Sequence, residues 1–260
     1  NTTGAENTTV GAYSLDANTT GDYNTALGRS ALGSSTTADS NTATGYLSLF
    51  SNTTGATNTA VGRSALQNNT TASSNVAVGS SALFTNTTGD QNVGIGVNSL
   101  LVNTTGRNNI SIGHGALAAN TTANQNIAIG PAALDANTTG ATNVGIGYGA
   151  LSSNTTGSKN TAVGDLALVG TTTGASNQAL GASAGSTITT GSHNIMIGLD
   201  AGSYDGTDLT TGSQNIIVGN YSKVTTAAAA HQIVIGYYLT SKGDETVFLG
   251  GVNGVYNEEN

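Results

Sequence analysis

A chain of 260 residues with 37 Gly, 1 Pro, 3 Phe, 9 Tyr and no Trp carries too few large apolar side chains for one deep core, so whatever it buries is thin and regular. With 14 Asp+Glu against 6 Lys+Arg and a formal net charge of −8, it has no basic patch to release counterions from phosphates, which excludes nucleic acid as a partner. The absence of Cys excludes a disulfide framework and a thiolate metal site, and no apolar run reaches membrane-spanning length, so membrane insertion is not expected.

The first six residues, NTTGAE, read as the tail of a coil, and the first full coil begins at Asn7. From there the chain repeats every 17 residues, with starts at Asn7, Asn24, Asn41, Asn58, Asn75, Asn92, Asn109, Asn126, Asn143, Asn160, Asn177 and Asn194. The coil from Asn194 is four residues longer, and Asn215, Gln232 and Thr246 open the last three. The type coil is Asn126 to Thr142, NIAIGPAALDANTTGAT. A chain that opens on Asn without Met or a signal peptide is expected to be a processed product or an excised fragment.

Within each coil the fifth position is Gly, from Gly11 and Gly28 to Gly236 and Gly250. A glycine at fixed phase marks a corner that needs positive φ or close approach. Val10, Leu27, Val61, Ile95, Ile129 and their successors precede it, with Thr44 the polar exception, and read as a short strand whose column points inward. Position nine supplies a second inward column, Leu15 through Leu168, and NTTG closes the coil as a turn. A helix is excluded because Gly and Asn-Thr-Thr would break it in every coil. The fold class is therefore all-β, a parallel β-solenoid of 17-residue coils, rod-like and on the order of 70 Å long at a strand spacing of about 4.8 Å. Residues 1–245 form the repeat rod and 246–260 the terminal coil with its cap and tail. Asn7, Asn24 and Asn41 start an asparagine ladder in which each side-chain amide bonds the next.

Position three stays small, as Ala26, Gly94, Ser111, Ala128, Gly145 and Ala162 show. Two readings fit: a cramped interior at that corner, or close approach of a neighbouring chain. The string NTAVGxxALxxNTTG, at Asn58 to Thr71 and Asn160 to Gly174, resembles the repeats of phage tail fibres and bacterial surface fibres that precede a self-cleaving intramolecular chaperone of the peptidase S74 type. The segment TVFLGGVNGV from Thr246 is similar to the stretch after the last repeat in such fibres, and the NxAIG coil is similar to the heads of YadA-like trimeric adhesins. The resemblance implies a homotrimeric, extracellular structural fibre on a virion or cell surface, used for attachment to a host-surface glycan or receptor. It favours the neighbouring chain as the cause of the small column. The chaperone itself is absent, so its Ser nucleophile has no counterpart, and the acidic tail GVYNEEN departs from the pattern.

No residue set supports catalysis, a cofactor or a metal, and the chain is not expected to be an enzyme. His114, His193 and His231 fall at different places in separated coils. Asp16, Asp22, Asp39, Asp90, Asp135 and Asp165 are dispersed and read as a solubilising surface. Gly145, Gly147 and Gly149 mimic a phosphate loop without its helix. Asn18, Asn52, Asn86, Asn103, Asn120, Asn137 and Asn154 sit in glycosylation context, but their turn role accounts for them. The Thr19–Thr20 to Thr189–Thr190 ladders raise an ice-binding alternative; if these pairs lay on a strand they would face opposite sides, whereas a flat array needs TxT. Tyr13, Tyr23, Tyr46, Phe50, Phe84 and Tyr148 occupy variable positions suited to glycan contact or to packing against another chain.

Overall fold

The structure, a computed structural model, describes residues 2–205, 208–251 and 254–256. It divides into two compact units, Asn1–Pro131 and Ala132–Asn260. The first holds β1 (Thr8–Val10), β2 (Thr25–Leu27), β3 (Thr42–Thr44), β4 (Thr59–Val61), β5 (Val76–Val78), β6 (Val93–Ile95), β7 (Ile110–Ile112) and β8 (Ile127–Ile129). Each pairs in parallel with the next at matching coil positions, as Thr59 with Val76 and Val61 with Val78. The second unit holds β9 (Val144–Ile146), β10 (Thr161–Val163), β11 (Gln178–Leu180), β12 (Ile195–Ile197), β13 (Ile216–Val218), β14 (Ile233–Gly236), β15 (Val247–Gly251) and β16 (Gly254–Tyr256). Its first seven strands stack in parallel, and β16 turns back antiparallel on β15, which ends the stack. Both units are β-solenoids. Every strand from β1 to β15 starts one residue after a coil start read from the sequence.

Repetition of the coil is set by its corners. Gly79 has φ 135°, a conformation L side chains avoid, and a Cβ there would lie 2.5 Å from the carbonyl oxygen of Gly96 in the next coil. Only glycine lets the corners stack at strand spacing. Each coil also holds non-glycine residues in the left-handed region, including the Leu column itself, with Leu83 at φ 52° and Leu117 at φ 51°. Such residues each cost about 1–2 kcal/mol, and regular stacking on both sides keeps them there.

Inside a coil lie Asn at position one, the small residue at three, Ala at eight, Leu at nine and Asn at twelve. Leu117, Ala116 and Ala128 are fully buried. The strand faces are the reverse of the expected ones. Val10, Leu27, Val61, Ile95 and Ile112 are exposed, whereas Ala26, Ala43, Ala60 and Ala77 are buried. The reason is steric: a coil only one strand thick, already filled by Leu, leaves room for a methyl at position three and none for isoleucine. The approach felt there is that of the chain's own Leu, since a Cβ on Gly94 would sit 3.2 Å from Leu83 Cγ. Small residues at position three therefore report a cramped interior, not a neighbouring chain.

Candidate functional site

Two amide ladders fix the coil from within. At position one, Oδ1 of Asn24 accepts the Asn41 backbone N–H at 3.0 Å, while Nδ2 of Asn41 reaches across its own coil to the carbonyl of Gly55 at 2.9 Å. At position twelve the amides bond each other directly, Asn69 to Asn52 at 2.8 Å, Asn86 to Asn69 at 2.9 Å and Asn103 to Asn86 at 2.7 Å. This second ladder contains the glycosylation-context asparagines. Asn52 Nδ2 donates to Gly55 O three residues on at 2.8 Å, and Asn18, Asn52, Asn86 and Asn103 are buried, so the turn role holds the amide where a glycan would have to attach.

One column was not legible in the sequence. Position sixteen, which reads as a variable surface, supplies a side-chain acceptor to the backbone of the preceding coil. Asp22 N donates to Asp39 Oδ1 at 2.8 Å, Ser73 N to Asp90 Oδ1 at 2.8 Å, Arg107 N to Asn124 Oδ1 at 2.7 Å and Ala141 N to Ser158 Oγ at 3.0 Å. Asp, Asn and Ser share acceptor chemistry rather than charge, which is the pattern that could have revealed it. At the far end Asp244 Oδ1 accepts Ala230 N–H at 3.0 Å and Gln232 Nε2 at 2.9 Å, and these bonds hold its carboxyl below the ordinary carboxylate range. Burial instead raises the carboxyl of Asp135.

The other sequence candidates do not converge. His114, His193 and His231 are exposed, and among the described residues no group of three His, Cys, Asp or Glu side chains could hold a metal ion. Gly145 lies on β9 and Gly147 forms the corner at φ 131°, with no helix after them. Tyr13, Tyr23, Tyr46 and Tyr148 are exposed singly, Tyr46 beneath the Arg29 guanidinium at 5.8 Å. Thr19 and Thr20 lie in a turn rather than a strand. The position-thirteen hydroxyls bond the next coil's carbonyl, as Thr53 Oγ1 to Thr70 O at 3.1 Å, while Thr54, Thr71 and Thr88 are exposed beside them. The acidic residues Glu258 and Glu259 lie outside the described residues.

What does converge is the outward strand face. In the first unit Val76, Val78, Val93, Ile95, Ile110, Ile112, Ile127 and Ile129 stand in two in-register columns, with Val78, Ile95, Ile110 and Ile112 all 36–37% exposed. In the second, Ile195, Ile197, Ile216, Val218, Ile233 and Ile235 repeat the arrangement. Gln178 interrupts it, and a hollow of about 230 Å³ opens there between Val163, Leu180, Ile195 and Ile197. A second convergence lies in the last coils. Tyr204, Tyr221, Tyr237 and Tyr238 gather there, and the hydrogen bond between the Tyr204 and Tyr238 hydroxyls, 2.8 Å, helps push the Tyr204 phenol up to about 12.

Parallel coils of one period, with internal amide ladders, define a β-solenoid repeat protein. Compared with family models, curated proteins and solved structures, the chain matches none.

Proposed function

We propose that this chain is a structural segment of an extracellular attachment fibre, its coils self-associating through the outward strand face into a homotrimeric shaft. One observation carries the reading: in each unit the outward strand positions form two in-register columns, mostly of Val, Ile and Leu with Thr or Gln in some strands, and no strand from β1 to β15 carries Lys, Arg, Asp or Glu. Exposed aliphatic surface of this extent is costly in water, and contiguous patches beyond a few hundred Å² mark association sites. A repeated face favours repeated contacts, so identical coils meeting in register gain stability coil by coil. Three copies, and a virion or cell-surface setting, come from the resemblance to phage and bacterial fibre repeats.

The test is the solution mass of the chain at micromolar concentration by light scattering, with Ile112→Lys as partner variant. A trimer that Ile112→Lys splits into folded monomers supports the reading. A monomeric native chain overturns it. An ice-binding surface is the second reading, favoured by the exposed Thr54, Thr71 and Thr88 column beside hydroxyls fixed on carbonyls. Thermal hysteresis by a monomer, lost in Thr71→Lys, would establish it instead.

A further inference from the structure

Tyr204, Tyr221 and Tyr238 recur at 17-residue steps, and Tyr237 adjoins the last of them. Their ring centroids lie 4.9 Å (Tyr204–Tyr221), 5.1 Å (Tyr204–Tyr238), 5.9 Å (Tyr221–Tyr238) and 6.0 Å (Tyr237–Tyr238) apart. The interplanar angles run from 45° to 78°, so the rings meet edge-to-face or tilted and none is stacked parallel on another. Tyr237 and Tyr238 are 54% and 48% exposed.

The fold does not require this cluster. Tyr221 and Tyr238 take position seven, where earlier coils carry Ser30, Ser64, Ser81 and Asn98 in the same left-handed conformation. Tyr204 belongs to the coil that is four residues longer than the rest. Around the rings are the Tyr204 and Tyr238 hydroxyls, and Lys223, whose Nζ lies 6.0 Å from the Tyr204 centroid. Four aromatic rings, two exposed and two half-buried, with Tyr221 and Tyr238 at a position where the fold accepts serine, imply a surface kept for a ligand.

We propose that this tyrosine cluster is a carbohydrate-binding surface that takes neutral hexopyranose units of a glycan chain. A pyranose presents a face of C–H groups, which lies on the negative face of an aromatic ring, and a rim of hydroxyls, which pairs with phenols. A purely apolar ligand would desolvate the tyrosine hydroxyls without meeting the hydrogen-bonding capacity that the Tyr204–Tyr238 pair leaves unused. A polyanion would meet a chain of net charge −8 with a single lysine at the cluster. The site lies within one chain; it deepens the attachment reading and rests on it only for its setting.

The test is binding of the full chain to immobilised neutral polysaccharides, a glucan, a mannan and a galactan, by surface plasmon resonance. At least one should bind, Tyr237→Ala should weaken it about tenfold, and Tyr237→Phe, which keeps the ring face, should stay within about threefold. Tyr13→Ala, at an isolated exposed tyrosine, should change nothing, and unaltered circular dichroism should show that the variants are folded. Binding to none of the three, binding indifferent to Tyr237→Ala, or capture of a proline-rich peptide in their place overturns the proposal. A monomer that still binds sugar sinks the fibre reading alone, and a trimer that binds none sinks this one alone.

Discussion

The coils of the first unit and the last coils of the second fill the same interior slot from opposite sides. From Leu32 to Leu117 a leucine at position nine fills it and position three is Ala, Gly or Ser. In the coils from Asn177 and Asn194, position nine becomes Gly185 and Gly202, and position three of the coil that follows each grows to Met196 and Ile217, both fully buried. A Cβ on Gly185 would sit 2.6 Å from Met196 Cε, and one on Gly202 would sit 3.3 Å from Ile217 Cδ1. Total volume is conserved while its donor changes. What a coil specifies is a filled cross-section at native packing density, and the leucine is one way of reaching it.

Neither region varies its corner glycine, and breaking it carries the largest effect. Gly79→Val places a β-branched residue at φ 135° with its Cβ 2.5 Å from the Gly96 carbonyl oxygen, and a loss beyond about 4 kcal/mol is expected in chemical denaturation. Gly115 has φ 64° and nothing within 4 Å of a Cβ, and the neighbouring coils hold Asn98 and Ala132 there, with Ser81 one coil further, all in the same conformation, so Gly115→Ser should cost only about 1 kcal/mol. Equal losses would mean that coil contact does not set the corner.

The exchange of volume can be tested by moving it. Gly94→Met alone should overpack against Leu83 by about 1–3 kcal/mol, and Leu83→Gly alone should leave a cavity worth about 2–5 kcal/mol. Together they rebuild the Gly185–Met196 arrangement, and the pair should cost less than the sum by about 0.5–3 kcal/mol. Strict additivity in the double-mutant cycle would show that the two regions differ by more than which residue fills the slot.

The coil was legible in the sequence because its markers are steric absolutes. A glycine at every corner and an asparagine at nearly every start admit one register, and the strands begin where that register puts them. The buried Leu column was equally plain. The strand faces were not, because hydrophobicity cannot distinguish a residue facing its own core from one facing another surface. Val61 and Ile95 read as interior on chemistry alone, and only the thinness of a coil holding Leu66 and Leu100 puts them outside. The position-sixteen acceptors were hidden for a different reason, since Asp39, Ser73 and Asn124 differ in charge and share only an oxygen that a backbone N–H can reach. Tyr204, Tyr221 and Tyr238 do carry a signal in their 17-residue spacing, but the irregular length of the coil from Asn194 puts Tyr204 out of phase with the other two and masks it.

The smallest expected effect separates the two regions by their amide ladders. In the first unit the position-twelve column is broken once, at Ser35, whose Oγ is buried without a hydrogen-bond partner between the rows of Asn18 and Asn52. In the second it stops at Thr171, where Asn154 Oδ1 and Thr171 Oγ1 are both buried without a partner and the next coil presents Ile188. Ser35→Asn inserts an amide with a like neighbour on either side, and its Nδ2 should reach the carbonyl of Ala38 three residues on, as Asn69 Nδ2 reaches Ala72 O at 2.9 Å. Removing a buried unpaired hydroxyl and adding ladder bonds should stabilise the chain by about 1–2 kcal/mol. Thr171→Asn satisfies Asn154 but leaves its own Oδ1 facing Ile188, so most of that gain is lost and a change under about 1 kcal/mol is expected. Denaturation midpoints of the two variants decide it: a larger rise for Thr171→Asn than for Ser35→Asn would mean that continuity of the amide ladder is not what stabilises these coils.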